Sequence, residues 1–224
     1  MISGCSTENS EKPANKTGST PVETNTKEKV ENLASDSPYA KVVQIDSNQD
    51  NPTIRAQMGT DNGDLQVVSE GKEMIGHFTI PSVLGQEGDF FYQGNYSVFY
   101  NHNDEKKEIR ELQSLVFVQP SEKPISFEKI GFESMDVFLL TPEYTASRGY
   151  NSYAFGIDKN SGEAFAITFK SGENVHDTMN YEKDNAPLNK SEKLVVTTRN
   201  TEGQGDTLTT EYSFDKDSKQ FVAQ

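Results

Sequence analysis

Alternation with a period of two is the feature that most limits what this chain can fold into. In KEMIGHFTIP, Met74, Phe78 and Ile80 fall on one side of an extended chain, with His77 and Thr79 on the other. Tyr153, Phe155 and Ile157 alternate in YNSYAFGID, and Phe165, Ile167 and Phe169 alternate in EAFAITFK. Side chains two apart share a face only in a strand, so these runs read as half-buried β-strands. Asp158 to Glu163, DKNSGE, stands between the last two runs with turn formers and a glycine, which makes the pair a hairpin. LTTEYSFDKDSKQFV repeats the device, with Leu208, Tyr212 and Phe214, a turn at 215–219, then Phe221. Helical periodicity is weak throughout. NDEKKEIRELQSL, which could carry one helical turn with Ile109 and Leu112 on a face, reads as a hairpin turn entering the strand LQSLVFVQP.

Three stretches share one plan of apolar strand, aromatic strand, turn and return strand. They begin near EMIGHF, DVFLL and KLVVT, about sixty residues apart, and describe three-stranded meanders used as units. The Asp-rich hairpins of these units resemble the blades of β-propellers, in particular integrin-like repeats. Because propellers close with about four or more blades, the expectation is all-β, with antiparallel meanders forming an open sheet, a sandwich or a partial propeller-like domain.

The apolar residues are unevenly placed. Hydrophobic content is only 33%, yet the chain holds 13 Phe and 9 Tyr. Residues 6–38 contain no aromatic residue and almost no large aliphatic one. Such a stretch cannot bury enough surface to offset its conformational entropy, so it is expected to be a disordered tether, with the globular part at 39–224. A flexible tether of this length spans roughly 30 Å on average and about 110 Å when fully stretched.

Cys5 is the only cysteine, so no internal disulfide can form. It ends the run Ile2-Ser3-Gly4-Cys5, which resembles the lipobox of bacterial lipoproteins, and a polar tether follows as in the Gram-positive type. The resemblance implies that residues 1–5 are the remnant of a signal whose charged and apolar segments belong upstream. It also implies that the Cys5 thiol receives a lipid and holds the chain at the outer face of the cell membrane. Two acyl chains suffice for stable anchoring, at about 0.8 kcal/mol per buried CH₂.

The net charge of −14 argues against nucleic acid and against electrostatic docking on anionic lipid, because no basic stripe is present. Nor is there a cofactor fingerprint or a common enzyme motif apart from one. Ser126-Phe127-Glu128-Lys129 spells S-x-x-K, without companion motifs and in a β context, so it reads as a loop. His77, His102 and His176 are scattered in unlike contexts. Asp46-Ser47-Asn48-Gln49-Asp50 has the D-x-N-x-D spacing of a calcium loop, but Asn51 and Gln57 stand where such a loop needs Gly and Glu. Asp158, Asn160, Asp215 and Asp217 fall in hairpin turns, where they serve backbone geometry.

Two stretches stand out for recognition. Phe90, Phe91, Tyr92, Tyr96, Phe99 and Tyr100 crowd one run, where a sheet covered on both faces is the commoner outcome and an exposed ring for stacking the rarer one. TPEYTASRGYNSY is a polar loop with Tyr144, Arg148 and Tyr150, a recognition loop or equally an ordinary connection. The reading is a binding domain for a peptide, an envelope glycan or another surface protein. The alternatives are a secreted hydrolase using acids such as Asp136 or Glu143, and a structural envelope subunit with exposed strand edges. Expressed behind a full signal, the chain is expected to partition into detergent, while Cys5→Ser is released into the medium. Equal partitioning of the two contradicts lipidation.

Overall fold

The structure, a computed structural model, describes residues 33–145, 149–199 and 206–224. It is all-β, with no helix among the described residues. The first sheet contains β1 (Val43–Gln49), β2 (Ile54–Gly59), β3 (Asp64–Ser69), β4 (Glu73–Phe78), β5 (Phe90–His102) and β6 (Glu105–Gln119). β5 is its spine. The first half of β5 pairs with β4, the second half pairs with β3, and β6 accompanies it from end to end. The hairpin turns at Asn103-Asp104, both with positive φ (50° and 63°), a turn whose twist suits right-handed strands. β6 carries an extra residue opposite Gly94–Tyr96 and another opposite Val98–Phe99. At the first bulge Ser114 has a φ of 52°, and its N–H donates to Asn95 Oδ1 at 2.9 Å. Bulges of this kind bend a ribbon, and the sheet curls into a half-barrel.

The second sheet holds β7 (Glu128–Gly131), β8 (Met135–Leu140), β9 (Tyr150–Asp158), β10 (Ala164–Ser171), β11 (Asn174–His176), β12 (Thr178–Tyr181), β13 (Leu188–Lys190), β14 (Lys193–Arg199), β15 (Thr207–Asp215) and β16 (Gln220–Ala223). All three expected meanders are present, as β4–β5–β6, β8–β9–β10 and β14–β15–β16. The second and third join through a parallel pairing of Thr168–Lys170 with β16. The sheet then curls until it almost meets itself. Asn189 Nδ2 donates to the Gly131 carbonyl at 2.8 Å, Glu133 N–H to Glu192 Oε2 at 2.9 Å, and Glu182 N–H to the Thr197 carbonyl at 2.8 Å. These bonds bridge β13 to β7 and β12 to β14, giving a nearly closed barrel.

All six residues of β8, MDVFLL, are buried. Val137 and Leu139 point into the barrel with Ala154, Ile167, Phe169 and Phe221. Phe138 and Leu140 point the other way, with Phe155 and Ile157, and meet Leu65, Tyr92, Tyr96 and Phe117 of the half-barrel. The two halves therefore share β8 and β9 as a common wall. A third cluster covers the outer face of the half-barrel, where Tyr39 packs on Phe78 and Phe91. Packing reaches back to Leu33, inside the stretch read as tether, and Tyr39 OH donates to Glu143 Oε2 at 2.6 Å. Ile80, grouped by alternation with Phe78, lies beyond the end of β4 and is half exposed, because Pro81 follows and the chain leaves the sheet.

The aromatic run of β5 is consumed by both faces of its sheet. Phe91 enters the outer cluster, while Tyr92 and Tyr96 enter the shared core. Behind them lies a buried ion pair that alternation does not announce. Arg55 is the extra residue of a bulge in β2, and its Nε and Nη2 donate to Glu73 at 2.8 and 2.5 Å. Tyr96 OH and Thr53 Oγ1 also donate to the Glu73 carboxylate, at 2.7 and 2.9 Å, and the guanidinium lies 3.5 Å over the Tyr92 ring. Burial works to lower the Arg55 pKa, and the hydrogen bonds and charge of Glu73 outweigh it, so the group is held above its ordinary value.

Glu73→Ala leaves the Arg55 charge buried without its acid and is expected to cost about 3–5 kcal/mol in urea unfolding. A loss under about 1 kcal/mol contradicts the role given to the pair. Burial also raises the pKa of seven of the nine tyrosines, with Tyr144, which donates to Asp89, pushed up to about 12. An unfolded tyrosine ionises near pH 10. A raised folded value therefore stabilises the fold below that pH, and the contribution is lost as the pH climbs from about 10 through the folded value. Tyrosinate absorbance is expected to lag on the folded protein and then rise together with alkaline unfolding. Complete ionisation near pH 10 with the fold intact contradicts this packing.

Candidate functional site

The residues singled out by the sequence disperse over the fold. Cys5, most of the tether and Arg148 lie outside the described residues. Asp136 is buried at the start of β8, where Lys129 Nζ at 2.8 Å and Lys159 Nζ at 3.1 Å neutralise it. Glu143 follows β8, bridges to Val118 and takes the Tyr39 hydrogen bond. These two acids are separated by as much as about 23 Å of extended chain, at roughly 3.3 Å per residue, and do not converge. Ser126 and Lys129 sit on an extended segment, and Lys129 is turned to Asp136. Asp46 lies in the strand β1 and pairs with His77 Nδ1 at 2.7 Å, so D-x-N-x-D is not wound into a loop. Asp158 accepts from the N–H groups of Asn160 and Ser161, and Asp215 from Asp217 N–H and Ser218 Oγ, as turn-forming carboxylates do. Among the described residues, the acids close enough to share an ion are Glu70, Glu108 and Glu111, all exposed.

Tyr144 and Tyr150 of the proposed recognition loop are packed. Tyr144 donates to Asp89 Oδ2 at 2.6 Å, and Tyr150 meets Tyr181 edge-on at 5.6 Å. The strand that this loop enters does reach a cleft, however. β9 pairs with β12 over Tyr150–Tyr153 and with β10 over Ala154–Ile157. Beyond Ile167, β10 pairs with β11 in place of β9 on one edge and with β16 on the other, and the sheet splits. The split opens a cleft of about 320 Å³ into the barrel wall. That volume lies within the range of small-ligand pockets, about 300–1,000 Å³.

The floor of the cleft is apolar. Phe169 and Met179 are buried, and Tyr212 meets Phe169 edge-on at 6.1 Å, with burial raising the Tyr212 pKa. The rim is polar, built from Asn151, Asn180, Thr178 and Thr198, with Lys170 and His176 on the β10–β11 side. Asn180 Nδ2 donates to Asn151 Oδ1 at 3.2 Å, and Thr198 Oγ1 to the Leu208 carbonyl at 3.4 Å. Leu208, paired with Thr198, is 58% exposed beside the mouth. The corner between β11 and β12 is pinned from outside by Arg110 Nη2 on Asp177 at 2.7 Å, so the walls are held before any ligand arrives.

Alternation does place Phe169 and Tyr212 on inward faces. Nothing local encodes the change of partner in β10 that brings them together with Met179. No family model matches this chain, and neither a curated protein nor a solved structure matches it.

Proposed function

We propose that the chain is a lipid-anchored surface protein whose β domain binds a ligand in the barrel-wall cleft. In this reading the Cys5 thiol carries the lipid, residues 6–32 give reach, and the domain that begins with Leu33 works outside the cell membrane. The ligand is a peptide, an envelope glycan or a group on another surface protein. The observation that carries the reading is the cleft itself, an apolar floor under a rim of amides, hydroxyls and an ammonium on rigid strands. No helix of the described residues is long and apolar enough to cross a membrane, and membrane attachment rests on Cys5 in this account.

Binding is better supported than catalysis. The buried acids Glu73, Asp89 and Asp136 are each engaged by Arg55, Tyr144 or the two lysines. A hydrolase needs two ionisable groups whose environments separate their pKa values on one pocket, and Asp136 and Glu143 lie apart. A strand-adding subunit would use the outer edge of β6, but its charges, EKKEIRE, and its two bulges blunt that edge.

Thr198→Trp is expected to fill the cleft while leaving the melting temperature within a few degrees. Full-length wild-type protein is expected to be retained on one of three immobilised envelope fractions (peptide, glycan or protein) and the variant is expected to flow through. Equal retention of the two removes the cleft from the account.

A further inference from the structure

We infer that the barrel-wall cleft takes a small apolar molecule bearing one anionic group. This rests on the reading of the cleft as the ligand site and sharpens it to a ligand class. The argument begins with a charge anomaly. The chain carries 35 acidic and 21 basic residues, yet among the described residues no Asp or Glu lines this cleft. Its one formal charge is the Lys170 ammonium, joined by the imidazole of His176.

Several lysines elsewhere on the second sheet are matched to acids: Lys129 and Lys159 to Asp136, Lys193 to Glu211 and Lys219 to Glu163. Lys170 makes no ion pair among the described residues. Asp215 feels its charge, but the Asp215 oxygens already accept from Ser218 and Asp217. Asp177, next to His176, is held by Arg110, and Glu173 sits exposed in the turn beyond Ser171, off the lining. A half-buried lysine lining a cleft to which the described residues bring no carboxylate favours an anion and disfavours a cation.

Hydrogen-bond donors converge with it. Asn151 accepts from Asn180 through Oδ1, which leaves its own Nδ2 protons for a ligand, and Thr178 adds a hydroxyl. Beneath them Phe169, Met179 and Tyr212 offer an apolar floor, and the exposed Leu208 is the strand partner of the lining residue Thr198. At roughly 30 Å³ per water, the space holds about ten waters, enough for a fused-ring body or a short acyl chain. The anionic group then lies at the rim against Lys170, and the apolar body displaces water from the floor.

The test uses full-length protein and two probes with one ring system. 8-Anilinonaphthalene-1-sulfonate carries an anion, and N-phenyl-1-naphthylamine does not. The sulfonate is expected to bind about tenfold more tightly, as a charged hydrogen bond gives. Lys170→Ala is expected to remove that advantage and leave the neutral probe unchanged. Thr198→Trp, or Leu208→Trp if the first does not fold by circular dichroism, is expected to expel both. Competition by dodecanoate against dodecyl phosphate then separates a carboxylate head group from a phosphate. If the neutral probe binds and is expelled by the tryptophan, but the sulfonate binds no more tightly, the anionic class is overturned and the cleft stands. If the tryptophan variants change the binding of neither probe, both are overturned.

Discussion

One pair of strands serves two cores, and the rest of the molecule depends on it. β8 and β9 present Val137, Leu139 and Ala154 to the barrel, and Phe138, Leu140, Phe155 and Ile157 to the half-barrel. Each large side chain buried there contributes about 1.5–3 kcal/mol. Because alternate residues of the same strands supply both sides, neither core can loosen without disturbing the other. A strand covered on both faces has no room for polar alternation, and MDVFLL accordingly reads as a continuous apolar run. Asp136 is the exception within it. It lies near the strand end, where Lys129 and Lys159 can reach it from β7 and from the β9–β10 turn.

The same economy accounts for the cleft. β9 is long enough to take β10 along its second half and β12 along its first, because β10 exchanges β9 for β11 along one edge while its other edge pairs with β16. The resulting split is stabilised rather than filled, by Arg110 and Asp177 on one side and by the Glu182–Thr197 bond on the other. Inward-facing side chains at such a split stand between two environments, apolar below and wet above. That is the setting in which a barrel wall holds a ligand. In the half-barrel, the Arg55–Glu73 pair and Tyr96 occupy part of the inward space.

Much of the fold was legible in the sequence. The turns at 158–163 and 215–219, the hairpin at Asn103-Asp104 and the three meanders follow from alternation and turn chemistry, which are local. The burial of Arg55 and Glu73 was not legible, because a bulge in β2 and a sheet switch in β5 decide it. The aromatic richness of 90–100 allowed a recognition surface but favoured a sheet covered on both faces, since Phe90, Phe91 and Tyr92 in succession cannot share one side. It turned out to be core, since β5 is covered on both faces and its rings divide between them. The cleft was out of reach for a similar reason: Asn151, Lys170, Met179, Thr198 and Tyr212 come from five strands. Only the non-local pairing of β10 with β16 brings them to one opening.

Native-state hydrogen exchange tests the shared wall most directly. If both halves hang on it, amides of residues 136–140 and 153–157 exchange slowest. The best-protected amides of β5 and β14 then open with the same free energy, in one cooperative event. Full exchange of β5 while the β8–β9 and β14 amides stay protected would mean two independent bodies, and would contradict the account.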